Sequence, residues 1–465
     1  MITVSNVITI DNPSEELIKW CKQNLRLKNP EYAKKVRMHF WLGNTPEFLY
    51  LYETHGDKLV LPFGVLRNIF PMVDADDFRT GFQPVETIDY GCEIPLYDYQ
   101  EKAVEEVYWK QYGILQSAAG SGKTQMGIAL IAKLGKRALW LTHTKDLLLQ
   151  SKQRAEQYMD PSLLGTITEG KVNIGKGITF ATVQTMCNLD LAQYKNLWDV
   201  IIVDECHRVA GTPTAVSQFS KVLNSLSARH KYGLSATVHR SDGLIQATFA
   251  LLGDVIYTVP TEAVADKIMK VGINPVPTGI GLSRACLNTD GTLNYAKLIN
   301  YLAENIDRNV RIIECIVANR ENPSLILSDR LGHLETLMSM LPADMREDAV
   351  MVSGKMTTKK GKAEREQAIA DMRTGKKKYL FATYSLCKEG LDIPRLERLY
   401  MGSPQKDFAV ITQSIGRIAR THPGKADPVV YDFVDDIQYL VKAYKKRCAT
   451  YRKNGCYFAE RGETK

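Results

Sequence analysis

Apolar residues are arranged along this chain in two recurring ways. Through two long stretches, short and almost wholly apolar runs alternate with segments whose apolar positions repeat at helical spacing. The first stretch has runs at 114–116, 137–142, 178–182, 198–203 and 232–234, and the second at 324–327, 349–352, 379–382, 398–401 and 429–433. A strand that is apolar on both faces needs cover on both faces, so these runs predict two parallel sheets with helices packed above and below. Ahead of them, 1–88 has a different texture. Its aromatic, alternating stretch (Phe40, Trp41, Phe48, Tyr50, Tyr52) predicts antiparallel strands in a small N-terminal α+β accessory domain. Between the sheets, 261–294 is rich in glycine and proline (Gly272, Pro275, Pro277, Gly279, Gly281) and reads as a connection running over the surface, a joint between lobes. The predicted domains are 1–88, 89–262 and 263–465.

The length of 465 residues agrees with that division. At roughly 150 residues per domain, about three domains can each bury a core. A composition of 45% hydrophobic and 24% charged residues excludes collagen-like and low-complexity classes. No apolar run approaches the ~18 residues that cross a bilayer, and 1–11 lacks a basic segment followed by an apolar core. The expected address is intracellular, with no membrane partner. Nine cysteines without a C-x-x-C pair argue against a disulfide framework or a structural zinc site. A net charge of +8 is too small to name a partner, but its distribution is uneven. Residues 19–37 hold seven Lys/Arg against one acidic residue, 355–378 nine against three, and 442–465 eight against two. The first of these stretches runs on into Phe40 and Trp41, which could stack bases or fill the accessory core; for Phe40 the core is the stronger reading.

Directly after the first apolar run comes Ser117-Ala118-Ala119-Gly120-Ser121-Gly122-Lys123-Thr124, followed by helical spacing at Met126, Ala129 and Leu130. Glycines let backbone amides wrap phosphate oxygens at a helix N-terminus, where the peptide dipoles favour negative charge. Lys123 is then placed for the β and γ phosphates of ATP, and the Thr124 hydroxyl for Mg2+. A chance Gly/Ser loop would not have a strand before it and a helix after it. The run 198–203 ends in Asp204-Glu205-Cys206-His207. At the carboxyl end of a buried strand in a doubly wound sheet, Asp204 lies beside the phosphate loop and can hold the Mg2+ shell. Glu205 is positioned to orient and deprotonate the attacking water.

With these residues the chain resembles superfamily 2 helicases of the DEAD/DEAH type, in the DExH form, over about 90–434. Further motifs appear in the family's order. Gln100 resembles the adenine-reading glutamine, and Ser235-Ala236-Thr237 the motif that couples hydrolysis to movement. Gly390, Leu391 and Asp392 resemble the fifth motif, and Gln413-Ser414-Ile415-Gly416-Arg417-Ile418-Ala419-Arg420 the sixth. Arg417 and Arg420, three apart at the start of a helical pattern, put both guanidinium groups on one face. If the lobes close on ATP, that face stabilises charge on the γ phosphate. By resemblance, nucleic acid is contacted by Thr144, Thr182 and Gln184 in the first lobe and by Ser353, Thr383 and Lys388 in the second. The segment 234–243 is similar to the XPB-like branch that includes phage UvsW-like branch-migration helicases, with Val238 where that branch has proline; His143 likewise replaces a proline before Thr144.

The resemblance implies two tandem RecA-like doubly wound lobes behind the accessory domain, and an ATP-dependent motor that remodels forked, branched or duplex DNA, working in the cytoplasm of a bacterial or phage-infected cell. A monomer is the default for its oligomeric state. Three alternatives stay open: an RNA helicase, the motor of a restriction or defence complex, and a scaffold that uses ATP only as a clamp.

Overall fold

The computed structural model describes residues 1–118, 120–238, 243–260, 262–264, 268–354, 356, 358–388, 391 and 393–458, with Ala75, Lys359, Lys362, Cys387 and Lys388 described in backbone only. The chain divides into two compact units, the first comprising Met1–Ala118 and Gly122–Pro260, the second built on Thr261–Lys465. Among the described residues no helix is long and apolar enough to cross a membrane.

The first unit centres on an eight-stranded sheet. Its five predicted runs form strands Tyr112–Gln116, Ala138–Thr142, Ile178–Thr182, Val200–Asp204 and His230–Ser235, mutually parallel in the spatial order 178, 138, 200, 230, 112. Val200–Asp204 and Ala138–Thr142 are buried at every position, because helices cover both faces of the sheet. The sequence pattern missed three strands at the two sides: Lys171–Asn173, short and exposed, Val255–Thr258, half exposed, and Leu164–Thr168, whose apolar run is broken by Gly165 and two threonines.

Residues from 1–88 build a five-stranded sheet and share one hydrophobic core with the first unit's large sheet: Ile8, Leu59, Leu61, Phe63 and Val65 pack with Tyr112, Val216, Ala247 and Ala250. Two polar features mark this junction. Lys231 is fully buried, its Nζ donating to the carbonyls of Asn6 (3.1 Å) and Leu223 (2.8 Å) and lying 5.1 Å from the Phe63 ring centroid. Burial pushes its pKa down to about 7. Gly64 sits so close to the end of helix Ile245–Leu252 that a methyl group there would collide with the backbone of Phe249, Ala250 and Gly253.

Phe40 is not in a core. It is 56% exposed and Trp41 89%, and neither lies on a strand. Helix Pro30–Arg37 ends just before them and buries none of its own residues, so no apolar face exists to receive Phe40. Phe48–Tyr50 is a strand, paired antiparallel with Arg26–Lys28.

The second unit is a seven-stranded, all-parallel sheet. The stretch read as a surface joint contains one of its strands, Gly272–Gly281, paired along its length with Val429–Asp436. The reason lies in the alternation of amides. Gly272 N–H donates to Pro428 O, so amides of the even-numbered residues face that neighbour. Pro275 and Pro277 fall on the opposite side, which is paired with Tyr457–Phe458 only at Gly272 and Ile273. Their missing donors therefore cost no ladder bond among the described residues. Helix Gln438–Lys453 is anchored by Arg447, whose Nε and Nη2 pair with both oxygens of buried Asp432 at 2.8 Å, while the Tyr451 hydroxyl donates to the same carboxylate at 2.7 Å.

Gly64→Ala should separate the accessory segment from its seat on helix Ile245–Leu252. The expected loss is about 1–3 kcal/mol of unfolding free energy, read by urea denaturation; an unchanged midpoint would show that this contact yields without cost.

Candidate functional site

Register brings the first unit's chemistry together. Val200–Asp204 pairs with His230–Ser235, Asp204 opposite Leu234, and His230–Ser235 pairs with Tyr112–Gln116, Ser235 opposite Gln116. Asp204, Ser235 and Ser117 thus leave the sheet at one level, at the carboxyl ends of three adjacent parallel strands.

The loop opens with buried Ser117, whose N–H donates to Ser235 O at 3.0 Å. Gly120 and Gly122 adopt φ values of +85° and +80°, which only glycine enters without strain. Buried Ser121 lies between them. Lys123, the first residue of helix Lys123–Leu134, is buried, and its Nζ donates back to the carbonyls of Ser117 and Ala118 at 3.3 Å. Thr124 follows it, half-buried, in the helix's first turn. Gln100 is buried in helix Asp98–Tyr108. Its Oε1 accepts from Tyr97 N–H at 3.0 Å, and its amide nitrogen lies where a Gly122 side chain would be. The adenine-motif glutamine and the phosphate loop are therefore packed against each other.

Asp204 is fully buried. Its Oδ1 accepts from Glu205 N–H (2.9 Å) and its Oδ2 from Ser151 Oγ (3.4 Å). Burial, reinforced by the neighbouring Glu205 carboxylate and opposed by Lys123, holds its carboxyl well above the usual range. A carboxylate desolvated in this way suits a bound cation, and a carboxylate and a hydroxyl are oxygen donors of the kind Mg2+ takes. Glu205 has φ +48°, a left-handed backbone that is strained for a residue with a side chain. The turn carries its Oε2 to 3.2 Å from His207 Nδ1. The Ser235 hydroxyl donates to Thr237 O (2.7 Å), so its oxygen accepts from Thr237 N–H (3.1 Å) and from His207 Nδ1 (3.0 Å). His207 Nδ1 thus lies between the Ser235 hydroxyl and the Glu205 carboxylate. His207, Ser235 and Ser151 were not among the residues the sequence singled out for the site. The first two stood inside quoted motifs, and only their hydrogen bonds reveal the link.

Thr144, Thr182 and Gln184 gather at the ends of neighbouring strands. The Thr144 hydroxyl caps helix Lys145–Ala155, accepting from Leu147 N–H (3.4 Å), Thr182 bonds Thr185 (3.0 Å) and is buried, and Gln184 Nε2 donates to His143 O (3.0 Å).

In the second unit, Ser353 and Thr383 follow the paired positions Val352 and Ala382, bringing them side by side; the Thr383 hydroxyl pairs with Ser385 Oγ at 2.9 Å. Lys388 ends a short helix, its side chain outside the described residues, as are Gly390 and Asp392. Gln413 is buried within helix Phe408–Ile418. Arg417 and Arg420 stand at the end of that helix, not at its start: Asp407 caps the N-terminus by accepting from Val410 N–H, and Arg420 lies beyond the last turn. Arg417 Nη1 donates to Leu391 O at 2.9 Å. Lys425, which the sequence did not single out, donates to the carbonyls of Ile418 (2.7 Å), Arg420 (2.7 Å) and Pro394 (2.9 Å), fixing the backbone that carries Arg420. Burial pushes its pKa down to about 8.

A phosphate loop, a buried Asp204 followed by a half-buried Glu205, and a second parallel α/β unit define a nucleotide-driven two-lobed enzyme. Residues 93–240 match the family model of the type III restriction enzyme res subunit, and 307–422 that of the helicase conserved C-terminal domain. The chain belongs to the superfamily 2 helicases of the DExH type, ATP-hydrolysing enzymes with two tandem RecA-like lobes. It is 26% identical to the probable helicase D10 of Escherichia phage T5, over 74% of this chain and 72% of that one. It is 25% identical to the putative ATP-dependent RNA helicase L396 of Acanthamoeba polyphaga mimivirus (94% and 82%), and 24% identical to the DNA 3'-5' translocase XPB2 of Sulfurisphaera tokodaii (70% and 79%).

Gly122→Ala forces a strained φ and pushes Gln100 aside. Nucleotide affinity, titrated with a fluorescent ATP analogue, should fall at least about 10-fold with circular dichroism unchanged; undiminished affinity would detach Gln100 and Gly122 from the nucleotide.

Proposed function

We propose that this helicase is an ATP-driven translocase on duplex or branched DNA, remodelling forks or four-way junctions in recombination, repair or replication. The observation that carries the reading is the strongly basic N-terminal segment, seven Lys/Arg against one acidic residue in 19–37, built into the same hydrophobic core as the ATP-binding sheet. A basic segment fused to a motor supplies a second grip on phosphate backbone. The relative XPB2, a DNA translocase by name, supports DNA. The mimivirus relative, an RNA helicase by name, keeps RNA as the second reading, and the restriction-subunit model is the reason a restriction motor is third.

In this proposal the amides of Ser117, Ala118, Gly120, Ser121 and Gly122 and the Lys123 ammonium bind the β and γ phosphates, and Gln100 meets the base. Thr124 and Asp204 would hold Mg2+, which neutralises phosphate charge when bound. Glu205 orients and deprotonates the attacking water, with His207 holding its carboxylate in place. Arg417 and Arg420 stabilise charge on the transferred phosphoryl group, with Gln413, Gly390 and Asp392 beside the nucleotide. Thr144, Thr182, Gln184, Ser353, Thr383 and Lys388 contact the backbone of the track without reading sequence.

Glu205→Gln should lower nucleic-acid-stimulated ATP turnover by at least about 100-fold while ATP still binds; undiminished turnover would remove Glu205 from the chemistry. Turnover measured with forked DNA, a four-way DNA junction and an RNA duplex should be stimulated by the DNA forms, and stimulation by RNA alone would overturn the DNA assignment.

A further inference from the structure

Residues 38–47 form a loop that serves no core. It leaves helix Pro30–Arg37 and returns as strand Phe48–Tyr50. Its base is tied shut: Asn29 N–H donates to Glu47 O (2.9 Å), Asn29 Nδ2 to Pro46 O (2.8 Å), Lys35 Nζ to Thr45 Oγ1 (2.6 Å) and Phe40 N–H to Lys35 O (2.9 Å). The Trp41 ring lies against Gly43, whose φ of +53° and missing side chain leave it that place. A loop built this firmly that still holds its two largest apolar side chains in water forgoes the burial they could supply, and such surfaces mark contact sites.

Charge identifies what is contacted. Lys28, Lys34 and Arg37 flank the loop and are exposed. Cations that follow a phosphate backbone, combined with flat rings that stack on bases, are the means of binding unpaired nucleic acid without sequence preference. The footing is equally specific. Leu27 and Leu49, one from each strand of the ribbon at the loop's base, pack on Ala210, Leu244 and Ile245, which follow the segments carrying His207 and Ser235.

We propose that 38–47 is a base-stacking loop: Trp41 stacks on an unpaired base where single strand meets duplex, while Lys28, Lys34 and Arg37 hold the adjoining phosphates. This rests on the nucleic-acid function proposed above and names the residue that meets the branch point.

The test uses the full chain with Trp41→Ala and Trp41→Phe, and anisotropy titrations, without nucleotide, of a fork with unpaired arms and of a blunt duplex of equal length. Trp41→Ala should weaken fork binding about 10-fold, shift duplex binding by less than about 2-fold and leave nucleic-acid-free ATP turnover unchanged; Trp41→Phe should restore most of the loss. Unchanged fork affinity overturns the proposal, as does equal loss on fork and duplex; unchanged affinity together with Trp41-dependent capture of an acidic protein would reassign the loop to a protein partner. If the wild-type chain binds RNA forks and not DNA forks, the DNA assignment fails and the same comparison on RNA decides the loop. Binding to neither overturns both.

Discussion

The ATP site of the first lobe depends on three parallel strands ending at the same level. Because Asp204 lies opposite Leu234 and Ser235 opposite Gln116, the carboxylate, the serine and the start of the phosphate loop leave the sheet side by side. A slip of one residue would turn the strand's side chains to the opposite face and carry Asp204 away from Lys123. Burial on both faces is what prevents that slip, since every residue of Val200–Asp204 is inside. Ser235 then joins the parts: its carbonyl accepts from the phosphate loop and its hydroxyl from His207. One residue thus touches both the phosphate loop and the Asp204–His207 segment through two different atoms.

The same strand has a second partner at its other end. Lys231 is buried beneath the accessory segment, its ammonium satisfied by two carbonyls and the face of Phe63. An ammonium without such partners would impose a desolvation cost of several kcal/mol. Strand His230–Ser235 therefore holds the accessory segment at one end and the ATP site at the other, within a single compact unit. This is contiguity of structure; coupling along it requires that the strand have two arrangements that both ends can bias.

Much of this organisation was legible in the sequence, for physical reasons that differ by element. Parallel strands covered on both faces announce themselves as apolar runs, and each of the ten predicted runs lies within or overlaps an observed strand. Gly120, Gly122 and Lys123 were legible because the backbone conformation they permit is a local property. Gly272–Gly281 was hidden because two prolines in a strand are unremarkable only when the direction of each amide is known, and that depends on which neighbour the strand has. The start of helix Phe408–Ile418 lay hidden from the spacing because it is set by a cap at Asp407, and a run of apolar residues gives no terminus by itself. His207, Ser151 and Lys425 act through hydrogen bonds to residues up to 53 positions away, which no spacing rule records.

Glu205 and Trp41 both break local rules and are supported in doing so. Glu205 takes a left-handed backbone where glycine would be easier, and the strain is held by a buried strand before it and a 3-10 turn, Cys206–Arg208, after it. Trp41 stays in water where a polar residue would be easier, on a loop closed by four hydrogen bonds. Glu205 brings a carboxylate to 3.2 Å from His207 Nδ1, and Trp41 presents a flat apolar face on a loop flanked by exposed Lys34 and Arg37. The two exceptions occur in one unit, and the ribbon beneath Trp41 packs on Ala210, three residues past His207. Both side chains are thus carried by one compact unit, which under the proposed function would bring phosphate hydrolysis and a strand junction onto the same lobe.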